Sequence, residues 1–170
     1  MSTHTTTVLI DSHKTSPLRV GVGGPASQAP VATPIHVTPL VNKSYRVAVG
    51  QHSLTIDQPA SAGGDDRGPT PVELFVASLA ACVAHYAGSY LARHGVPSDG
   101  LAVDADFVMA DDSPARVASV TLTLTPPAGL PENRKAGMLA VASHCTLHNT
   151  LRDAPSVDIT LSSEQTAAAA

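Results

Sequence analysis

Between Thr70 and Pro97 the chain reads TPVELFVASLAACVAHYAGSYLARHGVP, and this stretch constrains the fold more than any other. Its start is a capping box, with Thr70 as N-cap, Pro71 at the first helical position and Glu73 at the third. Its end is marked by Arg93 and His94 in the last turn, Gly95 just past it and Pro97 beyond. Some 24 residues at 1.5 Å rise predict a helix of roughly 36 Å. At 100° per residue from Cys82, one face holds Phe75, Ser78, Leu79, His85, Tyr86 and Ser89. The other is built of Ala77, Ala80, Ala84, Ala87 and Leu91, with Ala81 and Gly88 beside them. A helix apolar on most of its circumference is normally buried. The Ala and Gly side suits close contact with a second helix, the same helix of a second subunit being one candidate.

The flanking segments supply strands. Tyr45, Val47 and Val49 alternate up to a turn at Gly50, and Leu54 and Ile56 continue on the return, which predicts a hairpin. After the helix, Leu101, Val103, Ala105, Phe107 and Met109 alternate with Asp104 and Asp106, and Ala118, Val120, Leu122 and Leu124 repeat the pattern. A second helix is expected over roughly Glu132 to Ser143, a short third one after Cys145, and a last strand at SVDITL. Strands and helices in this order, without regular βαβ crossovers, indicate an α+β domain with antiparallel sheets. The domain is expected over residues 43–163. Residues 1–42 are read as an N-terminal extension, with short strands at TTTVLID and LRVGV joined by the connector GGPASQAP, and residues 164–170 as a frayed tail.

Composition narrows the function classes. The 170 residues carry 10 Lys and Arg against 14 Asp and Glu, for a net charge of −4. With no basic patch and no Trp, this argues against a nucleic-acid partner. Residues 1–20 lack the apolar core of a signal peptide. The most apolar run, Leu74 to Ala84, is too short to span a bilayer before His85 interrupts it. Two cysteines are too few for a secreted disulfide scaffold. A cytoplasmic protein with reduced thiols and no membrane partner is the expectation.

Those two cysteines are the candidate chemistry. Cys82 sits mid-helix in a largely buried element, where a free cysteine is usually a small core hydrophobe. Cys145 falls near the start of the short third helix, flanked by His144 and His148, where exposed amides favour a thiolate. A zinc site is one alternative, because Cys82 with His85 and Cys145 with His148 form two C-x-x-H pairs and four ligands. With eight histidines in the chain, chance pairs of this kind are expected. No nucleophile elbow or phosphate-binding loop is present.

The motifs DQP (Asp57–Pro59), GG…GPTPVEL (Gly63–Leu74), LAAC ending at Cys82 and CTLHNTL (Cys145–Leu151) resemble the family of osmotically inducible protein C and the organic hydroperoxide resistance proteins (OsmC/Ohr). The resemblance spans roughly Lys43 to Leu161 and lies nearer the OsmC-like branch with Pro-x-Glu-Leu at the helix start. It implies an intertwined homodimer with antiparallel sheets wrapped around long central helices. It also implies a peroxidase without metal or organic cofactor. Cys82 would be the peroxidatic thiol, oxidised to a sulfenic acid, and Cys145 the resolving thiol that closes a disulfide. An external dithiol, dihydrolipoyl in one branch, would reduce that disulfide, and an organic hydroperoxide would be the substrate. The family's catalytic glutamate position is Val72 here, with Glu73 one residue later. The activating arginine, which family enzymes draw from the N-terminal hairpin, has its counterpart in Arg46, with Lys43 and Arg67 as further candidates. Thr146 stands where the family commonly has proline. The alternative within the same fold is a non-catalytic small-molecule binding module.

Overall fold

The computed structural model describes residues 33–162 together with the backbone of Thr7 and Val8. The LRVGV strand, the GGPASQAP connector and the tail from residue 164 lie outside the described residues. The chain divides into two units, Pro30–Arg152 and a second one made of Met1–Ala29 with Asp153–Ala170. In the second unit, β1 (Thr7–Val8) pairs antiparallel with β7 (Ile159–Thr160). The last strand is therefore shorter than SVDITL suggests, and it pairs with the TTTVLID segment.

The larger unit is organised by α1, Pro71–Arg93. Both halves of the expected capping box are made: the Glu73 amide donates to Thr70 Oγ1 at 3.2 Å, and the Thr70 amide donates to Glu73 Oε2 at 2.7 Å. At the other end the Val96 amide donates to Leu91 O and the Gly95 amide to Ala92 O, a Schellman closure. Gly95 has φ 65°, where a side chain would be strained. The helix runs through His85 without a break, and its 23 residues have the length and mean hydropathy of a bilayer-spanning segment. Its apolarity has another cause. Val76, Leu79, Val83, Ala87, Tyr90 and Leu91 are buried, five of them in the core of this unit.

That core is closed by α2 (Glu132–Ala142) and by the hairpin of β5 (Ala102–Met109) and β6 (Val117–Thr125). Met138 and Ala142 of α2 and Leu130 before it join the α1 residues, and Val103, Val120, Leu122 and Leu124 pack from the hairpin. Along β5, Val103, Ala105 and Phe107 are partly buried and Asp104 and Asp106 exposed, following the expected alternation. Met109 departs from it. A register shift between Val108 and Met109 rotates it out, and it is exposed.

The remaining strands form a separate three-stranded sheet, β2 (Ile35–Pro39), β3 (Tyr45–Val49) and β4 (His52–Ile56), paired in that order. The β3–β4 hairpin and its turn at Gly50 are as expected. β2 is not. Ile35–Pro39 lies within the N-terminal extension as read from sequence, yet it pairs with β3 from Ile35↔Val49 to Pro39↔Tyr45. A strand ending in proline is tolerated here because β2 is an edge, where the missing N–H breaks no ladder. This sheet and α1 fall in the same compact unit, Pro30–Arg152.

The loop from β4 to α1 is pinned by Asp57, which is 1% exposed. Its carboxylate accepts from the amides of Gln58, Asp65 and Arg67 at 2.7, 3.1 and 3.1 Å. Burial pushes the carboxyl's pKa up, but those amides and the Arg67 charge outweigh it, and the net direction is down. Gly68 passes so close to β4 that a Cβ there would stand 2.2 Å from Thr55 O. Asp57 and Gly68 together fix where α1 begins.

Candidate functional site

The two thiols come from α1 and from the residue just before a short third helix, and they lie side by side. Cys82 is half-buried on the flank of α1 and packs against the core cluster that contains Cys145. Cys145 is 0% exposed and immediately precedes α3, Thr146–Arg152. There it acts as the N-cap. Its carbonyl accepts from the Asn149 amide at 3.0 Å, and its sulfur accepts from the His148 amide at 3.4 Å. Both cysteines are free.

The position of Cys145 suggested a thiolate; its environment decides otherwise. Complete burial pushes the thiol's pKa up, the His148 amide pulls it down, and neighbouring Cys82 pushes it up again, for a net upward shift. The amide contact expected from sequence is present, but desolvation outweighs it. The accessible thiol of the pair is Cys82.

The other expected site residues are not gathered around the thiols within one chain. Glu73 is exposed, and its carboxyl is held below the usual value by the backbone and side chain of Thr70. It stands about 13.5 Å along the helix axis from Cys82. Arg46 is exposed on β3, directly opposite Thr38 and Thr55. It shares the polar face of its sheet, while Ile35, Val37, Tyr45, Val47, Leu54 and Ile56 line the other. Arg67 contributes its amide to Asp57.

The residues flanking the cysteine pair face two grooves. One, of about 780 Å³, runs between α1, β6, α2 and α3 and is largely apolar, with His148 and Arg152 as its cationic or titratable members. The second, of about 590 Å³, lies between α1 and α2 and holds His85, Tyr86, Ser89, Arg93 and His144. His85 and His148 thus open into different grooves. Among the described residues no three His, Cys, Asp or Glu side chains converge as metal ligands. The Cys82, His85, Cys145, His148 set of the zinc alternative does not assemble.

Two features escaped the sequence. Asp57 is a buried anchor, legible only as part of the DQP motif. Tyr86 and Thr146 join their hydroxyls at 2.8 Å across the gap between α1 and α3. Tyr86 lies one helical turn from Cys82 and Thr146 next to Cys145, but nothing in the spacing shows that they meet.

Fold and geometry together define an α+β protein whose two cysteines meet between its central helix and the start of α3. Residues 63–160, more than half of the chain, match the family model for OsmC-like protein, and the chain belongs to that family. Solved structures show the same fold. A Psychrobacter arcticus protein named for osmotic stress induction and detoxification response is 21% identical, with 73% of this chain and 91% of that one covered at a TM-score of 0.65. The organic hydroperoxide resistance protein OsmC from Legionella pneumophila is 20% identical over 74% of this chain and 92% of its own, with a TM-score of 0.58. An OsmC-like protein from Mycoplasma pneumoniae is 17% identical over 72% and 88%, with a TM-score of 0.62. No curated protein matches the sequence.

Proposed function

We propose that this chain is a cytoplasmic thiol peroxidase that reduces organic hydroperoxides, with Cys82 as peroxidatic and Cys145 as resolving thiol. The observation that carries this reading is the juxtaposition of the chain's two cysteines, one reachable and one fully buried. Membership of the OsmC-like family and the fold shared with an organic hydroperoxide resistance protein support it.

In the first step the Cys82 thiolate attacks the hydroperoxide, the O–O bond breaks, and the alkoxide leaves as alcohol after taking a proton. Cys82 becomes a sulfenic acid. Cys145 then attacks the Cys82 sulfur, water departs, and a disulfide remains. An external dithiol reduces it by exchange and is itself oxidised to a disulfide. A buried, raised-pKa resolving thiol stays protonated until Cys82 is oxidised, and so does not compete for peroxide. The larger groove, lined by Leu79, Val83, Leu122 and Leu124, favours alkyl hydroperoxides over hydrogen peroxide.

A homodimer belongs to this reading. No residue of β2–β4 joins the core cluster, yet Ile35, Val37 and Tyr45 leave that sheet's apolar face exposed. Ala77 and Ala81 leave a small-residue face of α1 uncovered. A second copy would cover both. Glu73 and Arg46 can act on Cys82 only if the second copy carries them there.

The size and apolar lining of the larger groove also fit the non-catalytic binding module. The experiment that separates the two is a free-thiol count by mass spectrometry before and after one equivalent of cumene hydroperoxide. Loss of both thiols as a Cys82–Cys145 disulfide supports the peroxidase. Two unreacted thiols overturn it.

A further inference from the structure

We propose that the Tyr86–Thr146 hydrogen bond is a clasp that positions Cys82 and Cys145 for disulfide closure. Tyr86 follows Cys82 by four residues, so both project from the same side of α1 one turn apart. Thr146 follows Cys145 directly and is the first residue of α3. Their hydroxyls lie 2.8 Å apart. It joins α1 to the segment 143–152 through two hydroxyls, beside the contact that the two thiols themselves make.

The clasp has work to do because α3 cannot hold its own position. A seven-residue helix is too short to be stable alone, so its placement depends on tertiary ties. Leu147 supplies one by packing on the core cluster. The other local bonds, Asn149 to His144 O and Thr150 to Thr146 O, stay within the segment and leave its distance from α1 free. A disulfide tolerates little error, with Cα atoms about 4.4–6.8 Å apart and a dihedral near 90°. A tie on the residue next to one sulfur and one turn from the other restricts the motion that would separate them.

Coupling of this kind is reciprocal: the disulfide strengthens the hydrogen bond by as much as the hydrogen bond favours the disulfide. With the thiols reduced the hydroxyls already lie 2.8 Å apart, and joining the sulfurs narrows the range over which they can separate. Its removal therefore lowers the stability of the disulfide relative to the dithiol.

The proposal rests on the peroxidase reading for its purpose, but its test does not require peroxide. Wild type, Tyr86→Phe, Thr146→Val, Thr146→Ser and the Tyr86→Phe/Thr146→Val double variant are equilibrated in glutathione buffers and quenched with acid, and their thiols are counted by mass. In this exchange the two protein thiols give up two electrons and two protons, and glutathione disulfide takes them up to become two reduced glutathiones. Tyr86→Phe and Thr146→Val are each expected to lower the disulfide equilibrium constant about three- to tenfold, the range of one hydrogen bond. Thr146→Ser, which keeps the hydroxyl, is expected to stay at the wild-type constant, and the double variant to match the singles. Melting temperatures near wild type confirm that the variants fold.

Wild-type constants in both single variants would overturn the clasp, as would fully additive losses in the double. A wild type that forms the disulfide in glutathione but is inert to hydroperoxide would sink the peroxidase reading alone, with the clasp still decided by the variants. A wild type that forms no disulfide in any buffer would overturn both.

Discussion

Leu91 and Leu139 offer the same substitution at opposite extremes of burial. Leu91 is 0% exposed in the core between α1 and its neighbours, whereas Leu139, on the α2 wall of the larger groove, is 58% exposed. Leu→Ala removes three carbons at either site. At Leu91 the lost burial is about 2.4 kcal/mol, at about 0.8 kcal/mol for each buried carbon. The cavity left behind raises this to about 3–4 kcal/mol, within the range of buried leucines. At Leu139 less than half of the side chain leaves water and no cavity forms, so about 0.5–1 kcal/mol is expected. The assay is urea unfolding with both thiols reduced, at one fixed protein concentration, with m-values compared to confirm the same transition. A Leu91→Ala cost below about 1 kcal/mol, or equal costs at the two sites, would refute the assignment of the core. A large Leu139→Ala cost that changes on dilution would show instead that a second copy covers this face, since subunit association makes stability concentration-dependent.

Asp57 has a depressed pKa in the folded chain, so its contribution to stability is present above the unfolded carboxyl value of about 3.9 and is lost as pH falls through the folded value. Thermal melts of wild type and Asp57→Asn between neutral and acid pH should show a shallower acid decline in the variant; parallel declines would remove Asp57 as the acid-sensitive pin. Gly68→Ala would place a Cβ 2.2 Å from Thr55 O and 2.9 Å from Thr55 C, backbone atoms that cannot rotate away. Its cost should lie at or above the top of the roughly 1–3 kcal/mol seen for overpacking, while Gly129→Ala, with nothing within 4 Å, should be nearly neutral; similar melting temperatures would contradict the close approach. Glu73→Gln keeps an oxygen for the Thr70 amide while removing the charge, so hydroperoxide consumption should stay near the wild-type rate; a large fall at unchanged melting temperature would give Glu73 a catalytic role.

Local signals were enough for most of the elements. The capping box from Thr70 to Glu73 and the Gly95 closure bound α1 because both are hydrogen-bond patterns within a few residues of one another. The β3–β4 and β5–β6 hairpins were legible for the same reason, since alternation and turn residues are local. β2 was not, because its proline-flanked segment becomes a strand only through the ladder that β3 offers it. Met109 turned outward because a bulge, invisible in the alternation, shifts the register beside it.

The candidate site divides along the same line. Sequence named Cys82 and Cys145, placed one on the central helix and the other near the start of the short third helix, and supplied the family to which the chain belongs. That the thiols are neighbours, that one is reachable and the other sealed, and that Cys145 is pushed toward the protonated form were decided by the packing of α3 against α1. So were the separation of His85 from His148 and the meeting of Tyr86 with Thr146. Proximity across sixty residues of chain depends on how helices pack, and a pKa depends on what surrounds the sulfur. Helix caps and alternation are short-range properties that a sequence carries in itself; desolvation and contact between distant residues exist only once the chain has folded.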